Sequence, residues 1–484
     1  MSLKQKLVSA IGWSVGVKLA VQIIVWALTL MVIRIISPDD YGLMAITQVF
    51  INFMLGFASL GLGDALIQRA ETSKDIVARV FGVQIMIALA LMALLCLAAY
   101  PIARWYHDPR LVPLIQVSSI GYLFYAFAAL PRAFLTKHMR VRPIFIVEAG
   151  SGLAGAAAVI LLAFHDYGVW ALMLGTMAGH LARLILYVAV ASEFYVWPKF
   201  DLAGIGPLFS FGIFRTLEYT VWMIFVSADI FIVSSMLGAT AVGVYVVASN
   251  FATMPLSKIA PIINTTIFPA FALVQDQPAE ARFYAMKGMR IMAVATVPVF
   301  FGICAVAPEI VDLIFGPNWL AAKSVLGILA LATSFRAILL IVPNFLQGIG
   351  DSRGGFWCTA TGAAIFPPAF LIGCQWGVVG VACGWLFGYF IVFALHAVIA
   401  AHRGGLDVRE MLLLPIPPMA AGIVMILAVT AVRRLLPPGM PETLSLLMLI
   451  ATGAAVYGAT LFLLFRDLAM EMIGMVHRSP SPAT

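Results

Sequence analysis

Between Pro207 and Phe271 an otherwise apolar stretch carries Arg215, Glu218, Asp229 and Lys258. A charge at mid-bilayer costs at least ~3 kcal/mol on insertion scales, so such residues mark pathways, relays or buried pairs. Arg215 and Glu218 are three residues apart, and at about 100° per residue Trp222 and Asp229 return to the same side of a helix. The spacing predicts one polar face that looks into a cavity. The chemistry of such a face is recognition and ion transfer. A guanidinium holds an anion, and a carboxylate without a neighbouring cation is suited to binding and releasing an ion. Glu218 has Arg215 one turn away; Asp229 has no basic residue at i±3 or i±4. Asp229 is therefore the candidate ion-coupling group, with Glu218 as the partner of Arg215. The alternative is that Arg215 and Glu218 neutralise each other and lock two helices.

Other apolar stretches carry polar stripes. Lys18, Gln22 and Thr29 fall on one helix face, Gln48 and Asn52 on a second, and Thr176, His180, Arg183 and Tyr187 on a third; a fourth holds Arg336, Asn344 and Gln347. Around Lys258, Pro255, Pro261 and Pro269 predict a kinked or broken span, with Asn250 and Asn264 beside it. Basic groups in a neutral lining suit an anionic ligand, above all a phosphate that takes paired donors from guanidinium. Gln, Asn, Thr, Tyr and Trp suit sugars. The candidate substrate-binding residues are Arg215, Arg336, Lys18 and Arg183, with Gln22, Asn52, Trp222 and Lys258. For Lys18 and Arg183, snorkelling to the headgroups is the competing reading.

The elements that must position these residues are membrane helices. Of 484 residues, 63% are hydrophobic and 11% charged, with a mean hydropathy of +1.03, which excludes a soluble globule. At about twenty apolar residues per span we expect about fourteen helices, near 11–33, 41–63, 80–100, 111–131, 143–164, 168–191, 207–236, 241–270, 288–307, 322–347, 354–374, 377–400, 411–432 and 443–465. With an inside amino terminus, 18 Lys and Arg fall in loops on that side, 6 on the other and five within spans. The asymmetry predicts both termini in the cytoplasm and explains the formal charge of +7 without a nucleic-acid partner.

Internal matches keep the same order in both halves. Tyr41-Gly42-Leu43 aligns with Val242-Gly243-Val244, Asp108-Pro109 with Gly316-Pro317, Arg142 with Arg353, and Tyr167-Gly168-Val169 with Trp376-Gly377-Val378. This predicts two parallel six-helix bundles, 1–200 and 201–405, followed by two extra helices and a tail at 406–484. No phosphate-binding Gly-rich loop, no His-Glu-x-x-His and no long extramembrane segment is present. We therefore expect no enzyme, no metal and no cofactor; the five cysteines read as small buried hydrophobes.

The order of residues at helix ends then becomes informative. Ile33-Arg34-Ile35-Ile36-Ser37-Pro38-Asp39-Asp40-Tyr41-Gly42-Leu43 and Gly61-Leu62-Gly63-Asp64-Ala65-Leu66-Ile67-Gln68-Arg69 resemble signatures of the polysaccharide-transporter (Wzx-type) flippases of the multidrug/oligosaccharidyl-lipid/polysaccharide exporter superfamily. Asp229, Leu237-Gly238, Val242-Gly243-Val244-Tyr245, Pro255, Phe268-Pro269 and Gly316-Pro317-Asn318-Trp319 look like its second half, although Ile232-Val233-Ser234-Ser235 lacks the family's common Gly-Arg. The resemblance implies a fold like that of the multidrug (MATE-type) exporters, two bundles around a central cavity. It also implies alternating-access transfer of an undecaprenyl-pyrophosphate-linked oligosaccharide across the bacterial inner membrane for exopolysaccharide, capsule or O-antigen assembly. Its partners would be that substrate, membrane lipids, and a polymerase and chain-length regulator. The alternatives are a lipid II or teichuronic-acid exporter, a cation-coupled drug antiporter, and a non-transporting scaffold of a polysaccharide assembly complex.

Overall fold

The computed structural model describes residues 24–59, 73–201, 206–437, 439–466 and 470. The expected site residues Lys18 and Gln22, and the motif Gly61 to Arg69, lie outside the described residues.

Backbone amides have no water to bond in hydrocarbon, so apolar sequence of this length must close its hydrogen bonds within helices. The first helices are α1 (Ile24–Ile35), α2 (Pro38–Ser59), α3 (Lys74–Trp105), α4 (Leu111–Ser119), α5 (Gly121–Lys137), α6 (Val141–Ala163) and α7 (Val169–Ala191). They are followed by α8 (Gly206–Leu237), α9 (Ala239–Leu273), α10 (Pro278–Ala305), α11 (Ala307–Ile310), α12 (Ala322–Leu339), α13 (Ile341–Gly348), α14 (Ser352–Gly373), α15 (Gly377–Gly404), α16 (Val408–Leu413), α17 (Ile416–Leu435) and α18 (Glu442–Leu464). Among the described residues, 11 stretches are long and apolar enough to cross a membrane, and that at Ser352–Gly404 contains both α14 and α15. Two shorter apolar helices, Ile24–Ile35 and Met223–Leu237, accompany them. The protein is an all-α, multi-pass membrane protein.

Helix ends follow local chemistry. The Ser73 hydroxyl accepts the Ile76 amide hydrogen at the start of α3, and the Asp351 and Asp407 carboxylates cap α14 and α16 in the same way. Gly405 closes α15 in the left-handed conformation. The prolines at 255, 261 and 269 do not break α9, which runs unbroken for 35 residues. Each proline removes one donor, and a long helix tolerates that where protein or neighbouring polar groups take up the freed carbonyl. The expected tenth span, conversely, is interrupted at Leu340 between α12 and α13.

By contacts the chain divides into Met1–Gly243 and Val244–Thr484, so α8 packs with the first unit, whereas the sequence repeat draws its boundary near 200. Within the first unit α8 lies against α2, where Tyr219 fills the space a side chain at Gly56 would need. Its core joins Leu43, Ile46, Leu111, Leu114, Ile115 and Met173. Helices α6 and α7 approach closely enough that a Cβ on Gly175 would come within 2.8 Å of the Val159 amide nitrogen. In the same unit a Cβ on Gly42 would meet the Ala239 carbonyl oxygen at 1.8 Å, and one on Gly243 would meet that of Pro38 at 1.7 Å. Those two glycines are partners in the sequence repeat. In the second unit, α10 packs on α12 and α17, α14 on α15 and α17 on α18. There the Arg433 guanidinium pairs with Glu309, and the Tyr457 hydroxyl donates to the Val294 carbonyl.

Candidate functional site

The first unit encloses a cavity of about 660 Å³. Five helices build it, Ser118 of α4 among them, and α2, α5 and α7 contribute residues at helical spacing. Gln48, Ile51, Asn52 and Leu55 come from α2; Gly121, Tyr122, Tyr125, Ala128, Arg132 and Thr136 run along α5; Thr176, His180, Arg183 and Tyr187 come from α7; and Gln84 projects from α3. The stripes read from sequence on α2 and α7 thus meet on one cavity.

Several wall residues are held in place. The Tyr122 hydroxyl donates to the Ile51 carbonyl at 2.7 Å, tying α5 to α2, and the Tyr219 hydroxyl donates to the Asn52 carbonyl at 3.3 Å. Thr136 and Thr176 return their hydroxyls to carbonyls one turn earlier, at Arg132 and Leu172. Three polar atoms of wall residues are out of solvent and have no partner among the described residues: Oε1 of Gln84, a residue 2% exposed, the hydroxyl of Tyr187, 0% exposed, and Nε of Arg183.

The charge in the cavity is positive. Arg183 pairs with Glu148 of α6 at 3.1 Å, both half-buried. Arg132 has no carboxylate partner among the described residues and is exposed along the cavity. Tyr187 lies within electrostatic reach of both arginines and of Glu148. Sequence reasoning counted Arg132 as a loop charge. The signal that would have found it is the α5 periodicity, which puts Tyr125, Arg132 and Thr136 on one face, as a lone Gln84 among Phe81, Val83 and Ile85 marks α3.

Other expected site residues fall elsewhere. Arg215, Glu218 and Trp222 stand in α8, but their side chains lie outside the described residues. Arg336 in α12 and Lys258 in α9 are exposed residues of the second unit. Asp229 is buried at 8% exposure, and its Oδ1 accepts the Ile230 amide hydrogen at 2.7 Å. The residue has further interactions as well.

The helix start at Pro38 forms a second polar cluster in the first unit. Arg110 binds Asp39 at 2.7 Å and Asp108 at 2.6 Å, and the Thr240 hydroxyl donates to the other Asp39 oxygen at 3.1 Å. The Arg110 hydrogen bonds hold the Asp108 carboxyl below the usual carboxylate range.

The structure is a multi-pass helical membrane protein with a cavity lined by arginine, amide and hydroxyl groups, and solved structures share its fold. The lipid II flippase MurJ in an inward closed conformation superposes with a TM-score of 0.71 at 15% identity, over 93% of this chain and 98% of that one. An inward-facing multidrug resistance MATE family transporter superposes with a TM-score of 0.59, over 78% and 94%. The chain belongs to the polysaccharide biosynthesis protein family, whose model matches residues 31–324. Among its relatives is the succinoglycan biosynthesis transport protein ExoT of Rhizobium meliloti (strain 1021), 25% identical over 481 residues, 98% of this chain and 96% of that protein.

Proposed function

We propose that the protein is a flippase that carries an undecaprenyl-pyrophosphate-linked oligosaccharide repeat unit from the cytoplasmic to the periplasmic leaflet of the inner membrane, by alternating access, for polysaccharide assembly. The observation that carries this reading is the cavity of the first unit. It sets Arg132 and Arg183 among Gln48, Asn52, Gln84, Tyr122 and Tyr125, with no carboxylate among its lining residues. Guanidinium groups take a diphosphate through paired charge-assisted hydrogen bonds, and amides and phenols suit sugar hydroxyls and ring faces. A drug antiporter for organic cations would need the opposite sign of charge. The basic asymmetry of the loops puts both termini and the Arg132 to Arg142 segment on the cytoplasmic side. Arg132 and Arg183 then stand where a lipid-linked diphosphate first enters.

Deleting the gene and probing lipid-linked repeat units in sealed vesicles tests the function. Intermediates that accumulate facing the cytoplasm are the expected result. Unchanged transfer with a defect only in polymer length would show a scaffold of the assembly complex instead.

A further inference from the structure

We infer that the neutral stretch of this cavity is a saccharide subsite in which Gln84 and Tyr187 read the sugar attached to the diphosphate; the inference rests on the flippase reading above. Two observations carry it. The first is that two of the three unpartnered buried atoms on the wall belong to neutral side chains. Leaving a buried polar atom unbonded costs about 1–3 kcal/mol, so folded chains rarely keep two on one cavity without something to bond them. Gln84 Oε1 accepts, and the Tyr187 hydroxyl both donates and accepts, which is the complement of a sugar hydroxyl. Both side chains lie on the cavity wall.

The second is their order along the cavity. The short connection at 106–110 makes α3 antiparallel to the α4 and α5 span, and the Phe81 ring meets that of Phe127 edge-on at 5.4 Å. Gln84, nearly one turn on from Phe81, therefore sits level with the Tyr122 to Tyr125 turn of α5. That level is eight residues from Arg132, about 12 Å along the helix at ~1.5 Å per residue. Tyr187 is one turn from Arg183 on α7 and within electrostatic reach of Arg132. A ligand whose diphosphate is held by Arg132 and Arg183 thus meets Tyr187 at the junction to its first sugar. Gln84, with Tyr125 close by, lies farther along the saccharide. Charge anchors every such substrate alike; the two neutral groups distinguish among sugars by the hydroxyls they fit. A site that has lost a hydrogen-bonding partner for a buried group rejects ligands strongly, which is why such groups set specificity.

The test uses the full chain in lipid nanodiscs with farnesyl pyrophosphate and its conjugates to glucose, galactose and N-acetylglucosamine, binding being measured by calorimetry. At least one conjugate should bind more tightly than farnesyl pyrophosphate itself. Gln84→Met, nearly the same shape without the carboxamide, should lower that preference about tenfold, and Tyr187→Phe by a similar factor. Neither variant should change the affinity for farnesyl pyrophosphate, and thermal melting of Gln84→Met should not fall, because the change removes an unbonded oxygen. A wild-type protein that binds all four probes equally, or a preference that survives both substitutions, overturns the saccharide subsite while leaving the flippase reading intact. Loss of affinity for every probe with a lower melting temperature shows structural roles and overturns it too. A wild-type protein that binds none of the probes overturns the flippase reading itself.

Discussion

The same helix face has opposite fates in the two halves of the chain. Aligning Gly168 with Gly377 pairs Thr176, His180, Arg183 and Tyr187 of α7 with Trp385, Tyr389, Val392 and His396 of α15. Both glycines take positive φ where their helices begin, so the register is structural as well as sequential. In the first unit the stripe lines a cavity. In the second it is packed: the Trp385 ring lies 4.4 Å from that of Phe366 and 4.9 Å from that of Phe370, its indole N–H donates to the Tyr245 hydroxyl at 2.6 Å, and His396 bonds the Cys358 carbonyl at 2.9 Å. A repeat thus conserves helix starts and close backbone contacts while its side chains specialise. One copy lines a cavity and the other packs into a wall.

That comparison can be broken at its most packed point. Phe370→Ala, at 1% exposure, should cost about 3–5 kcal/mol by leaving a cavity among Phe366, Phe370 and Trp385. Unfolding in detergent measures this, and ligand affinity of the surviving folded protein should be unchanged. A loss of affinity without a loss of stability would mean that the second unit also binds. The converse change is smaller. Arg132→Gln should leave unfolding unaltered but weaken binding of farnesyl pyrophosphate by about 1.5–3 kcal/mol, the worth of a charge-assisted hydrogen bond. Polymer export should fall with it while membrane levels stay normal. Arg183→Gln sharpens the point, because it also strands Glu148. Its effect should be partly restored by the double change Arg183→Gln with Glu148→Gln, whereas no such rescue exists for Arg132.

The smallest effect is electrostatic and lies outside the cavity. Asp108 has its carboxyl held below the ordinary value of 3.8 by Arg110. A depressed folded value stabilises the cluster fully above that ordinary value, and the contribution is lost as pH falls through the folded one. Melting temperature should therefore be lower in Asp108→Asn at neutral pH, and the difference should shrink as pH falls below 3.8 and be screened by salt. Equal melting at neutral pH would show that the exposed pairs contribute nothing measurable.

Much of this molecule was legible in its sequence. Mean hydropathy and span length dictate helices, since hydrocarbon offers the backbone no other partner, and the stripe of Thr176, His180, Arg183 and Tyr187 follows from helical period alone. The repeat could be read because a glycine at a backbone crossing, such as Gly42 or Gly243, tolerates no substitute. What the sequence left undecided was which polar stripes share a space. Arg336 and Arg183 look alike as lone arginines in apolar runs, yet only Arg183 lines the cavity of the first unit, because facing depends on how neighbouring helices are rotated against one another. Asp229 has no basic residue a turn away, but local spacing considers only side chains, and its Oδ1 accepts from the Ile230 amide. Gln84 and Arg132 come from separate helices, and their shared cavity exists only once α3 and α5 pack side by side.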